Sequence, residues 1–95
     1  MKSIDFEIDG KNVNGVEIPL PKSPLVLALA KDGFVMCGYL NIDVAEKLGV
    51  AAAMVRGVST VNDLLAAQVQ GLTSAAAAKG VAAGMTGRDA LAKLL

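Results

Sequence analysis

The chain has 95 residues, 54% of them hydrophobic, and its nine basic and nine acidic side chains cancel. A domain this small buries only about 60–65% of its unfolded surface, so such apolar content predicts that another copy of the chain covers part of it. The charges are scattered with no basic, aromatic-interleaved stripe for nucleic acid, and the apolar runs from Leu25 to Ala30 and Val50 to Val55 fall far short of the ~20 residues of a membrane span.

In chain order, the N-terminal residues alternate with acids, unlike a signal peptide. Ile4 to Ile8 reads as a strand with one buried face. Asp9-Gly10 turns the chain into a second strand carrying Val13, Val16 and Ile18, in which Gly15 suggests a bulge. Pro19 to Pro24 is stiff, lacks ladder donors at its prolines and reads as a connection. Leu25 to Ala30 is expected as a central strand, paired through a two-residue primed turn at Asp32-Gly33 with the continuous apolar run Phe34 to Cys37.

Asn41 stands where its side chain caps a helix from Ile42 to Leu48, and Gly49 suits the C-terminal end. Val50 to Val55, between Gly49 and Gly57, reads as a strand reached by a crossover from Cys37. Thr60 and Asp63 form a capping box ahead of a short helix through Leu64 to Ala67. A third helix is capped by Thr73 or Ser74 and stops at Gly80. Thr86 and Asp89 repeat the capping logic for a last helix that runs to about Leu95. The expected architecture is a single α+β domain with a mixed sheet of about five strands and three or four short helices, mainly on one face. Residues 1–31 form its β-rich part and residues 32–95 its α/β part.

Three ordered motifs carry a resemblance: Gly33 to Asn41, Gly57 to Thr60 leading to Asp63-Leu64-Leu65, and Gly84 to Leu91. Together they resemble the YunC-like family (DUF1805), small bacterial and archaeal proteins defined as a domain of unknown function. The resemblance spans nearly the whole chain. It implies an α+β domain whose N-terminal β-strands form a tetramerisation region, hence self-association as a homotetramer. It implies no established activity. The family pattern places a basic residue at the position that is Met54 here, where Arg56 is the nearest substitute.

Chemistry narrows by exclusion. The chain has no histidine and one cysteine, too few for a Cys-His dyad, a Ser-His-Asp triad or a zinc site. The glycines at Gly80, Gly84 and Gly87 match neither a phosphate loop nor a dinucleotide fingerprint, so no metal or cofactor is expected. A lone cysteine cannot form an internal disulfide and fits a reducing cytoplasm. Asp5, Glu7, Asp9 and Glu17 read as a solvated or intersubunit strand face.

What remains is a strand-end pocket. If the strands ending near Cys37 and Val58 are parallel neighbours, Cys37, Gly38 and Asn41 would face Arg56, Ser59 and Thr60, with Thr86 and Arg88 nearby. Free helix amides there would attract a small anionic ligand. The Cys37 thiol has three readings: an inert core group, a ligand contact, or a nucleophile activated by a helix terminus and an arginine. Three function classes follow: a homo-oligomeric binding module for a small anionic metabolite, a thiol-dependent enzyme using Cys37, or an assembly protein contacting another polypeptide.

Overall fold

The alternation at the N-terminus produces a hairpin of β1 (Lys2–Ile8) and β2 (Lys11–Ile18). Both turn residues lie at positive φ, Asp9 at 53° and Gly10 at 78°, as a primed two-residue turn requires. The structure, a computed structural model, describes residues 1–95. Gly15 makes no bulge: the β1–β2 register runs unbroken from Lys2 opposite Glu17 to Ile8 opposite Lys11. Glycine serves a different purpose there, because a Cβ would sit 2.8 Å from Val61 Cγ2. The gap in β2 lets the helix bearing Val61 approach the sheet.

β3 (Leu25–Leu29) and β4 (Phe34–Met36) form the second hairpin, with Leu29 opposite Phe34. Its connection is Ala30 to Gly33, closed by the Ala30 amide donating to the Gly33 carbonyl at 2.8 Å. The two-residue primed turn expected at Asp32-Gly33 is therefore corrected to a longer loop, and Gly33 is not among the positive-φ residues. A side chain at Gly33 would instead collide with the Ala51 carbonyl, which accepts from the Phe34 amide.

Helix α1 (Ile42–Leu48) carries the crossover to β5 (Ala52–Met54), which pairs parallel with β4. Then follow α2 (Val61–Ala66), the two-residue β6 (Gly71–Leu72), α3 (Ser74–Ala78) and α4 (Gly87–Lys93). The six-stranded mixed sheet has the order β1-β2-β3-β4-β5-β6. The short β6, antiparallel to β5, is too brief to leave a sequence pattern. No helix is long and apolar enough to cross a membrane.

The pleat sorts the side chains. On the inner face Val13, Val26, Ala28, Val35 and Ala53 pack with Leu64 of α2, Ala76 of α3, Leu91 of α4 and Leu94 in one buried cluster. On the outer face a smaller cluster of Met36, Ala45, Ala52 and Met54 lies where α1 crosses the sheet. Thr73 joins β5 to α3. Its buried Oγ1 donates to the Val50 carbonyl at 2.7 Å and accepts from the amides of Ala52 at 3.0 Å and Ala76 at 3.3 Å.

Candidate functional site

The parallel pair β4–β5 sends its following helices to opposite faces: α1 packs on the outer cluster and α2 on the inner one. Loops that diverge in this way leave a crevice at the carboxyl ends of their strands. A cleft of about 440 Å³ lies there, lined by Cys37, Gly38 and Tyr39 after β4, Gly57, Val58 and Ser59 after β5, and Ser23 and Pro24 before β3. The Tyr39 hydroxyl donates to the Ser23 carbonyl at 2.9 Å, tying the first and third of these segments together.

The expected site residues divide on this geometry. Cys37, Gly38 and Ser59 line the crevice. Arg56 is exposed beside it: a Cβ on Gly38 would lie 3.7 Å from Arg56 Cγ. Asn41 is the cap of α1, accepting from the Asp43 amide at 2.8 Å. Thr60 and Arg88 line a separate cleft with residues of β1. Thr86 caps α4 through the Asp89 amide and forms an isolated bridge with Gln68. Tyr39, Gly57, Val58, Ser23 and Pro24 were not among the expected residues. Ser23 and Pro24 reach the crevice because β3 is antiparallel to β4 and so starts where β4 ends, an adjacency that no motif announces.

The expected anion attraction by free helix ends is also corrected. The Val61 amide at the start of α2 donates to Glu17 Oε2 at 2.8 Å, the Asp63 amide to Thr60 Oγ1 at 3.0 Å, and the Ser59 amide to Asp63 Oδ2 at 3.1 Å. With Asn41 closing α1, both termini are capped from within the chain. The donors left to the crevice are loop amides, because those of Gly38, Tyr39, Gly57 and Val58 donate to no protein acceptor. The Cys37 side is packed: the residue is 4% exposed, and its Sγ accepts from the Val26 amide at 3.4 Å.

Residues 36–94 match the model of a domain of unknown function, DUF1805. The uncharacterised protein YunC of Bacillus subtilis (strain 168) is 36% identical over 92 residues, 93% of this chain and 91% of that protein. The crystal structure of TA1206, a protein of unknown function from Thermoplasma acidophilum, superposes with a TM-score of 0.94 at 33% identity, covering 99% of this chain and 92% of that one. The matched segment contains β5, all four helices and the loops after β4 and β5 that line the crevice, and the chain belongs to the YunC-like DUF1805 family.

Proposed function

We propose that the protein is a homo-oligomeric binding module that holds a small anionic metabolite in the crevice between the β4 and β5 loops. The observation that carries this reading is the divergence of α1 and α2 to opposite faces of the sheet, with an open cleft between them. The unengaged amides of Gly38, Tyr39, Gly57 and Val58 and the exposed Arg56 supply donors suited to a carboxylate or phosphate. Self-association is supported by the outer face, where Val16, Ile18 and Leu27 are only half-buried and Leu29 is 40% exposed.

Thermal unfolding with inorganic phosphate, pyruvate and succinate tests the ligand. A probe at 100 times its Kd adds about 2.7 kcal/mol of stability. Arg56→Gln is expected to weaken that gain while leaving the unliganded melting temperature unchanged. If none of these anions raises the melting temperature, or Arg56→Gln leaves the gain intact, this reading is wrong.

A thiol enzyme is the second reading, favoured by Cys37 lining the same crevice. The packed position and the hydrogen bond to Sγ support a contact role instead. Iodoacetamide is then expected to modify Cys37 only after unfolding. Fast modification of the native protein would favour the enzyme.

A further inference from the structure

The glycines single out one wall of the crevice. The chain has ten of them. Five hold a positive φ, and at Gly15, Gly33 and Gly87 an added Cβ would collide with the chain itself. At Gly71, in β6, it would meet Met54 Cε at 3.4 Å. Gly38 answers to none of these reasons. It is not among the positive-φ residues, and the nearest atom to its Cβ position is Arg56 Cγ, at an ordinary contact distance of 3.7 Å. Glycine costs conformational entropy on folding and otherwise serves where something approaches the backbone closely. Nothing in the chain makes that approach at Gly38, which is exposed on the crevice.

The hydrogen bonding of the two loops indicates the chemistry of what approaches. The Cys37 amide donates to the Val26 carbonyl at 3.1 Å, the Val55 amide donates to the Met36 carbonyl at 2.9 Å, and there the β4–β5 ladder stops. Two unengaged amides follow on each side, Gly38 and Tyr39 on one loop and Gly57 and Val58 on the other. Gly57 lies at φ 73° with nothing within 4 Å of its Cβ position, so the second wall is bare as well. Ser59 adds a hydroxyl and the exposed Arg56 a guanidinium. No acidic side chain lines the crevice.

Donors on two walls suit an acceptor whose oxygens lie in more than one plane. A carboxylate offers two oxygens in a single plane, whereas a phosphoryl group offers three and carries about −1.5 to −2 charge at pH 7. The cleft of about 440 Å³ falls within the ~300–1,000 Å³ of small-molecule sites, which leaves room for an organic group beside the anion. Pro24, Val58 and the half-exposed ring of Tyr39 line that remainder.

We propose that the crevice takes a phosphate monoester, its phosphoryl oxygens accepting from the amides of both loops against the bare Cα of Gly38, and its organic group lying along Tyr39 and Pro24. This rests on the crevice reading above and narrows it. Gly38 is the residue that sets how closely the anion approaches the backbone, and Arg56 stands beside it to meet the charge.

The test titrates the isotope-labelled full chain with phenyl phosphate, inorganic phosphate and benzoate, following amide chemical shifts. Phenyl phosphate is expected to move the amides of Gly38, Tyr39, Gly57 and Val58. It should bind about tenfold or more tighter than benzoate, which keeps the ring without the tetrahedral anion, and tighter than inorganic phosphate, which lacks the ring. Gly38→Ala supplies a readout that a structural role would not move. Its unliganded melting temperature should stay level or rise, because alanine restricts the unfolded chain, while phenyl phosphate binds it about tenfold or more weakly. The proposal is overturned if Gly38→Ala binds as tightly as the native chain, or if it melts lower, since the fold itself then demands the glycine. Benzoate or inorganic phosphate binding as tightly as phenyl phosphate overturns the monoester assignment and leaves the anion reading standing. If none of the three moves those amides, both fall together.

Discussion

The inner face of the sheet closes under α2, α3 and α4, whereas the outer face is covered only where α1 crosses Met36, Ala52 and Met54. Both faces are apolar through β3, where Val26 and Ala28 point inward and Leu27 and Leu29 outward. Small residues mark the closed side: Gly15 lies against Val61 of α2, and Ala28 and Ala53 join the cluster that α2, α3 and α4 cover. Large residues mark the open side. Leu29 remains 40% exposed, and on α1 Val44 and Leu48 are 50% and 73% exposed. Close packing demands small partners where a helix approaches, while a face that lacks a helix carries bulk for something else to cover.

This contrast can be broken at its strongest point first. Leu64→Ala empties a fully buried site on the inner face and is expected to cost about 2–5 kcal/mol in urea unfolding. Thr73→Val keeps the volume but leaves the Ala52 and Ala76 amides without their hydroxyl partner. A loss of about 1–3 kcal/mol is expected, measured in the same way. Asn41→Ala removes the cap of α1, the one element that shields the outer face. It should cost about 1 kcal/mol and speed amide exchange across the first turn of that helix. Smallest of all, Leu29→Asp and Leu48→Gln should each shift monomer stability by less than about 1 kcal/mol. Sedimentation of these two variants sharpens the comparison: a smaller particle of unchanged stability is the expected outcome for Leu29→Asp. Unchanged mass in both would remove the support that the outer face lends to self-association.

The fold was legible where local chemistry decides it. Asn41, Thr60, Thr73 and Thr86 each cap the helix that follows, because capping needs only a short side chain and amides two or three residues ahead. The parallel placement of β5 was legible from the glycines that bracket it. Gly15 and Gly33 misled because their cause is remote. Val61 and Ala51, rather than any turn or bulge, exclude a side chain there.

The candidate site was legible in part for the same reason. Cys37, Gly38 and Ser59 sit at strand ends that the crossover brings together, so their proximity follows from strand order. Thr60 was grouped with them by sequence neighbourhood, but α2 turns onto the inner face and carries it toward β1, where it lines a separate cleft with Arg88 of α4. Which way a helix leaves a strand is set by the face it covers, and short apolar runs such as Ala51 to Val55, buried on both sides, do not reveal that.

The strand order has a kinetic consequence. Each strand pairs with its immediate predecessor in the chain, so the sheet can grow by addition to its newest edge, with one helical crossover as the longest closure before β5. Closing short loops costs little chain entropy, and topologies rich in near-neighbour pairings fold fast for their size. A chain leaving the ribosome N-terminus first would complete the β1–β2–β3 meander before α2 exists to shield it. The charged and amide side chains of Asp5, Glu7, Asn12 and Asn14 on its outer face would then keep the nascent sheet in solution.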